Sequence, residues 1–149
     1  KLSNIKNDAI KSILSAKLLE AQNRGISISV EIEEPVSNFR IELLDFITVL
    51  SVLCDNAIEA TIEAISPRMT VAFMNNDDSL VLIVENSIKS EKVDVNHIFD
   101  RGYSSKGEGR GLGLHNVNSV LEKYPKSTIT TRSANHLFSQ TIKFCKVSL

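Results

Sequence analysis

Five of the six glycines in this 149-residue chain lie within residues 102–113, and the last of them lead into an apolar, helix-like segment. The end of this cluster reads Gly109-Arg110-Gly111-Leu112-Gly113-Leu114. Glycine lets a backbone approach a ligand closely, and the free N–H groups at the start of a helix favour an anion. Lys106 and Arg110 add positive charge. The cluster therefore indicates a phosphate-binding loop, and a glycine-rich linker without a ligand is the alternative.

A second group with chemical potential lies in the longest helical pattern, which runs from about residue 41 to residue 65. Val52, Asn56 and Glu59 share one helix face by their spacing. An amide among apolar residues needs a polar partner, and an amide oxygen beside carboxylates suits Mg²⁺, which takes further ligands from phosphates and water. Asp55 is an additional candidate ligand. Ordinary solvated helix charges are the alternative for Asp55 and Glu59.

The third group is Val84-Glu85-Asn86-Ser87, which places polar side chains at the end of an apolar strand pattern. A side-chain oxygen of Asn86 can accept a hydrogen bond from an exocyclic amine, as an adenine site requires. An asparagine that turns the chain out of the strand is an equally good interpretation of this group by itself.

The elements that must position these groups follow from the hydrophobic periodicity. Helices are predicted at 1–24, 41–65 and 112–124, and strands at 26–32, 69–74, 80–84, 128–131 and 137–144. This order predicts an α+β fold, a two-layer α/β sandwich with a mixed sheet and helices on one face. The first helix carries two adjacent apolar stripes, so it either packs on its own sheet or is shared with a partner chain.

Charge and composition exclude several other classes. Lys and Arg number 17 and Asp and Glu 18, for a net charge of −1, which argues against a nucleic-acid partner and against a membrane-surface domain. Cys54 and Cys145 both lie in apolar runs, and we expect buried thiols in a reducing compartment. No apolar run approaches the roughly 20 residues of a membrane span. Because the chain lacks an initiator methionine, we expect it to be an excised fragment.

These motifs, in this order and spacing, resemble the nucleotide-binding domain of the GHKL superfamily, which includes gyrase B, MutL, the ninety-kilodalton heat-shock chaperones and histidine kinases. Residues 55–60 resemble the N box, Val84-Glu85-Asn86 the first Gly box, Phe99 the F box and residues 109–114 the second Gly box. Three runs most resemble AgrC/ComD-type peptide-pheromone (quorum-sensing) receptor kinases: residues 51–60, Val84-Glu85-Asn86-Ser87 and Tyr103-Ser104-Ser105-Lys106.

The resemblance implies a Bergerat-type domain that binds ATP and Mg²⁺ and transfers the γ-phosphate to a histidine on an upstream dimerisation helix. Residues 1–24 resemble the C-terminal part of that helix, and residues 25–149 the catalytic domain. The catalytic residues would be Asn56, Glu59 and Lys106, with Asn56 and Glu59 as metal ligands. The expected nucleotide contacts are Asn56, Asn86, Ser105, Lys106, Gly109, Arg110, Gly111, Leu112, Gly113 and Leu114.

The same resemblance implies that this is the cytoplasmic domain of a membrane-embedded receptor. Its partners would be its own dimerisation and phosphoacceptor domain, in a homodimer, and a cognate response regulator. Residues 100–110 would form a lid over the phosphates. None of the three histidines of the chain lies in the sequence pattern of a phosphoacceptor helix, so we expect that residue upstream.

Two positions depart from the wider family. Asn86 replaces an Asp and is a weaker acceptor than a carboxylate. Val52 stands where many histidine kinases carry Asn and the hydrolases carry Glu, and valine cannot act as the base that orients water. Phosphoryl transfer to a histidine relies mainly on positioning and charge neutralisation, so a kinase is favoured over a hydrolase. A serine kinase of the anti-sigma-factor type and a degenerate binding module without turnover remain as alternatives.

Overall fold

The computed structural model describes residues 7–33, 41–75, 79–94 and 112–145. The elements are helices α1 (Asp8–Asn23), α2 (Leu43–Thr61) and α3 (Leu112–Leu121), and strands β1 (Ser27–Ile32), β2 (Arg68–Asn75), β3 (Ser79–Ser87), β4 (Thr128–Ala134) and β5 (Leu137–Cys145). The five strands form one sheet in the order β1-β2-β3-β5-β4. β1 and β2 are parallel and the other pairs are antiparallel, which confirms the predicted mixed sheet.

Local sequence accounts for the bounds of α1. The Asn7 side chain accepts hydrogen bonds from the backbone N–H groups of Ala9 and Ile10, at 2.9 and 3.1 Å, and so caps the start of the helix. Gly25 ends it with a positive φ of 77°, which an L side chain rarely adopts. The chain then turns directly into β1, because the N–H of Ile26 donates to the carbonyl of Ala21 at 3.0 Å.

The alternation of side chains along the strands gives the sheet one buried face. The buried residues of the three central strands at this face include Met69, Val71, Phe73, Leu82, Val84, Ile142 and Phe144. Helix α2 packs against β2 and β3, and α1 and α3 each pack against α2. The result is the predicted two-layer α+β sandwich, with its core between the helices and the sheet.

Helix α1 packs on its own domain mainly through one of its two apolar stripes, and Ile13 of the other stripe is partly buried against the same core. Ile10, Leu14 and Ala21 are fully buried, whereas Ala16 of the second stripe is exposed. The structure shows α1 packed against α2 and β1 along the stripe that contains Leu14, and the sharing of this helix with a partner chain stays a prediction.

Three details differ from the sequence-based expectations. Helix α2 ends at Thr61 rather than near residue 65. At this helix end the Thr61 hydroxyl bonds to the backbone of Arg68. Strand β3 continues past its apolar run to Ser87, because β2 pairs with it as far as Asn86 and β5 as far as Ser87. Cys145 is half-buried rather than buried, since it ends β5 on the face of the sheet turned away from α2.

Candidate functional site

The site begins on one face of helix α2. The opposite face, which includes Leu50, Leu53 and Ala57, is buried in the core and fixes the rotation of the helix. Asn56 and Glu59 consequently lie on a half-buried face together with Val52, as their spacing predicted. An amide oxygen and a carboxylate are thereby held side by side, one turn apart, at the border between core and solvent.

Helix α3 starts against this same face of α2. A Cβ atom added to Gly113 would lie 3.1 Å from Cγ1 of Val52, a spacing tighter than most real contacts of a Cβ atom. Leu114 and Val117 then bury the adjoining turns of α3. Glycine at position 113 therefore lets the beginning of α3 approach α2 one turn before Asn56. Backbone N–H groups at a helix start favour an anion.

Asn86 lies near the end of β3 on the helix side of the sheet. It alternates with the buried Leu82 and Val84 and is itself only 3% exposed. Its side-chain Nδ2 donates to the backbone carbonyl of Ser87 at 3.0 Å, which orients the amide. The residue proposed to read adenine is thus on the same face of the sheet as the helix that carries Asn56.

Asp55 has a different environment from its neighbour Asn56. Its carboxylate lies 2.5 Å from Nζ of Lys17, so it forms an ion pair between α2 and α1. Adjacent residues of a helix point about 100° apart, so Asp55 and Asn56 face different neighbours. The ion pair with Lys17 shows that Asp55 faces α1, whereas Val52 faces α3. The contact of Asp55 with Lys17 favours a structural role over the metal-binding role suggested by the sequence.

Cys54 lies on the core side of the same helical turn. Desolvation by burial, followed by the negative charge of Asp55, raises the pKa of its thiol from 9.0 to about 12. The thiol is therefore neutral at physiological pH and unsuited to nucleophilic or metal-binding roles.

The donor set fits a magnesium ion carried by a nucleotide. In the described ranges no group of three or more His, Cys, Asp or Glu side chains could hold a metal. Mg²⁺ commonly takes only one or two protein oxygens and obtains its other ligands from phosphates and water. Asn56 and Glu59 supply two such oxygens beside the start of α3, so the residues present suit this mode of binding.

A depression of about 270 Å³ lies elsewhere, on the face of the sheet that no helix of the described ranges covers. Its lining includes Ser29, Thr70 and Glu85, whose side chains alternate with the buried residues of their strands, and it reaches Asn86 and Ser87 at the end of β3. The sheet separates this depression from Asn56 and Glu59. We therefore place the candidate site on the helix side and not in this depression.

Several residues that the sequence analysis assigned to the site lie outside the described ranges. They are Ser105, Lys106, Gly109, Arg110 and Gly111, together with Phe99 and His97. Leu112 is the first residue of α3, followed by Gly113 and Leu114. The structure thus brings the α3 start and α2 together and places Asn86 on the same side of the sheet.

Sequence reasoning missed two contacts that join the elements of the site. One is the Lys17–Asp55 ion pair, whose partners are 38 residues apart and carry no local signal. The other is a buried pair of hydroxyls, Thr61 and Ser87, whose oxygens are 2.7 Å apart. Thr61 lies four residues after Ala57, on the buried face of α2, and a hydroxyl at such a position was the available signal that it has a buried partner.

Comparison with known proteins agrees with this geometry. A family model described as a GHKL domain matches residues 41–145. The chain is 31% identical over 144 residues to the sensor histidine kinase DcuS of Escherichia coli (strain K12), which covers 93% of this chain and 26% of that protein. It is 29% identical over 125 residues to the sensor protein CitS of Bacillus subtilis (strain 168), which covers 80% of this chain and 23% of that protein. The chain spans about a quarter of the length of these relatives.

Solved structures agree at the level of the fold. The nucleotide-free catalytic domain of the histidine kinase ThkA superposes with a TM-score of 0.79 at 19% identity, covering 95% of this chain and 92% of that one. ThkA in complex with the response regulator protein TrrA gives a TM-score of 0.76 at 16% identity, covering 95% of this chain and 40% of that one. The chain therefore belongs to the GHKL domain family and has the catalytic-domain fold of sensor histidine kinases.

Proposed function

We propose that this chain is the catalytic domain of a two-component sensor histidine kinase, which binds Mg·ATP and passes the γ-phosphate to a histidine on a dimerisation helix. The observation that carries the proposal is the close approach of Gly113 to Val52, which brings a helix start suited to phosphate beside Asn56 and Glu59. Asn86, on the same side of the sheet, supplies an oriented amide for adenine.

Each part of the nucleotide has a candidate partner in this proposal. Asn86 accepts a hydrogen bond from the adenine amine, and Asn56 and Glu59 hold Mg²⁺. A second set of residues, which the sequence places at the phosphates, comprises Ser105, Lys106, Gly109, Arg110, Gly111, Leu112, Gly113 and Leu114. The N-terminal end of α3 adds the favourable dipole of its backbone N–H groups.

The chemistry required of these residues is positioning and charge neutralisation. When bound, Mg²⁺ neutralises part of the charge on the phosphates. Lys106 does the same from the protein side, and Val52 leaves the position one turn before Asn56 without a base that would activate water. The incoming histidine nitrogen, a stronger nucleophile than water, needs no such base. Transfer is therefore favoured over hydrolysis.

The architecture of the whole receptor is also part of the proposal. Residues 1–24 would be the C-terminal part of a dimerisation helix, residues 25–149 the cytoplasmic catalytic domain, and the intact receptor a membrane-embedded homodimer. The described residues contain no helix that is both long and apolar enough to cross a membrane. A response regulator is the expected phosphate acceptor downstream, and the histidine kinase ThkA has been solved in complex with the response regulator protein TrrA.

We further propose a peptide pheromone as the signal, on the resemblance of residues 51–60 and of Tyr103-Ser104-Ser105-Lys106 to the pheromone-receptor kinases. A serine kinase of the anti-sigma-factor type is the alternative enzyme, and a degenerate module is the alternative without turnover. The packing of α1 on the domain through Leu14 is compatible with a helix that enters from a dimerisation domain. Binding of ATP with and without Mg²⁺ separates the kinases from the degenerate module.

The proposal predicts that Asn56→Ala weakens Mg·ATP binding by about 1–3 kcal/mol, the cost of removing one partner of a buried polar group. Titration of the folded variant with a fluorescent ATP analogue, with and without Mg²⁺, measures the effect. The loss should be confined to the titration with Mg²⁺, because Asn56 acts through the metal.

The matched control is Asn118→Ala, since Asn118 is an exposed amide on helix α3. This variant should bind Mg·ATP as tightly as the wild type does. Equal affinities of the wild type and a folded Asn56→Ala variant would remove Asn56 from the metal site.

A further inference from the structure

Two buried hydroxyls join the end of helix α2 to the end of strand β3. Thr61 is fully buried and Ser87 is 6% exposed, and their oxygens lie 2.7 Å apart. Between them runs the connection from α2 to β2, whose backbone contributes three polar groups within reach. One is the carbonyl of Arg68, which lies 3.1 Å from Thr61 Oγ1 and 3.4 Å from Ser87 Oγ. The N–H of Arg68 lies 3.0 Å from Thr61 Oγ1 and 3.1 Å from Ser87 Oγ. Ser87 Oγ lies 2.8 Å from the carbonyl of Ser66.

One arrangement of hydrogens satisfies both hydroxyls. Ser87 donates its proton to the Ser66 carbonyl at 2.8 Å, and Thr61 donates to Ser87 Oγ at 2.7 Å. The N–H of Arg68 is then shared between the two oxygens, in a three-centre bond. Each hydroxyl has one proton and two acceptor sites, and the Arg68 carbonyl, 3.1 Å from Thr61 Oγ1, is a second acceptor for the Thr61 proton, so the two hydroxyls share one network with the backbone of residues 66 and 68.

The network lies between two parts of the proposed nucleotide site. On one side, Asn56 and Glu59 precede Thr61 on the same rigid helix, by about 7.5 and 3 Å along its axis. On the other side, Asn86 immediately precedes Ser87 and donates to its carbonyl at 3.0 Å. After Ser87 the chain leaves towards the β4–β5 hairpin, where the N–H of Ile88 donates to the carbonyl of His136 at 2.9 Å. The side chain of Ser87 is thus a direct tie from the adenine side of the site to α2.

We propose that Thr61 and Ser87 are positioning residues for the nucleotide, which set the separation between Asn86 and the pair Asn56 and Glu59. The inference rests on the function proposed above. Adenine and the metal-bound phosphates are joined covalently in ATP, so their two subsites must be held at a matching distance. A ligand that occupies only one subsite does not require that match. The binding affinity for ATP should therefore depend on the hydroxyl network more strongly than the binding affinity for adenosine does.

The test compares Mg·ATP, as its non-hydrolysable analogue, with adenosine on variants of the full 149-residue chain. Thr61→Val removes the hydroxyl and keeps the branched shape, whereas Thr61→Ser keeps the hydroxyl. Ser87→Ala breaks the same network from β3 and serves if Thr61→Val does not fold. Thr48→Val is the matched control, because Thr48 lies on the same helix and its hydroxyl bonds only within it, to the carbonyl of Leu44 at 2.9 Å.

We expect Thr61→Val and Ser87→Ala each to weaken binding of the ATP analogue by about tenfold, the scale of one net hydrogen bond. Adenosine binding should change by less than about twofold, and Thr61→Ser and Thr48→Val should bind as the wild type does. The double variant should be no weaker than the single ones, since the two hydroxyls act as one unit.

Equal losses for the ATP analogue and adenosine would reduce the pair to a purely structural role and overturn the inference. Unchanged affinity of folded Thr61→Val and Ser87→Ala for the ATP analogue would overturn it as well. A wild-type chain that binds no Mg·ATP would instead overturn the proposed function. Failure of the proposed function is thus seen in the wild type, and failure of the present inference is seen only in the variants.

Discussion

Asn86 shows how a single side chain acquires a role from its surroundings. An exposed asparagine has no fixed orientation, whereas this one is 3% exposed and its Nδ2 is engaged by the carbonyl of Ser87. The backbone bond of the amide nitrogen fixes the orientation of the side chain, and in the proposed function the oxygen accepts from the adenine amine. The neutral amide also avoids the desolvation cost that a buried carboxylate would carry at this position.

This environment predicts that Asn86→Ala reduces the preference for ATP over GTP. Adenine carries an exocyclic amine where guanine carries a carbonyl, so removal of the acceptor costs ATP about 1 kcal/mol, the net value of one hydrogen bond, and costs GTP nothing. Competition of the two nucleotides against a fluorescent analogue measures the ratio of affinities. An unchanged ratio in a folded variant would assign the adenine contact to another residue.

The two cysteines differ in reactivity because they differ in burial. Cys54 is fully buried in α2 and the pKa of its thiol is raised to about 12. Cys145 is half-buried at the end of β5. We therefore expect a disulfide-exchange reagent at neutral pH to label Cys145 in the folded protein and Cys54 only after unfolding.

The raised pKa of Cys54 also predicts a stability loss at alkaline pH. Since the folded pKa of about 12 lies above the ordinary value of 9.0, the neutral thiol stabilises the fold fully below pH 9 and progressively less up to pH 12. From pH 8 to pH 10 the wild type should lose about 1.4 kcal/mol more unfolding free energy than Cys54→Ala. Urea denaturation followed by circular dichroism at both pH values measures this. Parallel losses in the two proteins would contradict it.

At the scale of elements, the site depends on how closely two helices pack. The approach of α3 to α2 is set by Gly113, since any side chain there meets Cγ1 of Val52. Helix α1 is joined to α2 differently, by its apolar stripe and by the Lys17–Asp55 ion pair, whose carboxylate is 47% exposed. An ion pair that exposed contributes at most about 1 kcal/mol, so the apolar stripe accounts for most of the attachment of α1.

The tight contact predicts a compensating pair of substitutions. In a helix, Gly→Ala is favourable by about 1 kcal/mol from propensity alone, but at position 113 the new Cβ strains against Val52. Gly113→Ala should therefore lower both thermal stability and ATP affinity in the wild type and stabilise the Val52→Ala background. Thermal denaturation and nucleotide titration of the wild type, the two single variants and the double variant measure the coupling energy between positions 113 and 52. Additive effects of the two substitutions would show that α3 does not press on α2 here.

At the scale of the whole molecule, the end of the core farther from Asn56 holds an aromatic cluster and a buried hydrogen bond. Phe46, at the start of α2, stacks near Phe73 and Phe144, with ring centroids 6.2 and 5.8 Å away. Tyr124 donates to the buried carboxylate of Asp45 at 2.7 Å. Desolvation and this hydrogen bond raise the pKa of Tyr124, which keeps the phenol protonated as a donor. The cluster lies about 15 Å along α2 from Asn56 and anchors both α2 and the segment after α3.

The molecule as a whole is expected to bind ATP without phosphorylating itself. His115 lies within α3, and the ring of His136 in the β4–β5 turn is 3.1 Å from the carbonyl of Lys89. His115 is half-buried and His136 lies in a turn, and none of the three histidines has the sequence pattern of a phosphoacceptor helix. Incubation with γ-labelled ATP should give no acid-labile label on the chain. Acid-labile label on any of the three histidines would show that the acceptor is internal.

A separately supplied dimerisation domain that carries the phosphoacceptor histidine should be labelled slowly by this chain in trans. The rate is low because the tether, which raises the effective concentration to about the millimolar range, is absent. Labelling should rise with the concentration of the added domain.

The sequence by itself determined the element order and the helix face that Val52, Asn56 and Glu59 share, because both follow from local periodicity and residue type. Strand register is long-range, and so the parallel pairing of β1 with β2 and the place of β5 between β3 and β4 appeared only in the tertiary structure. The extension of β3 through Asn86 likewise depends on backbone bonds from both neighbouring strands, and Gly113 against Val52 on the packing of two helices. The Thr61–Ser87 contact joins residues 26 apart in the chain, and only folding brings two such hydroxyls within hydrogen-bonding distance.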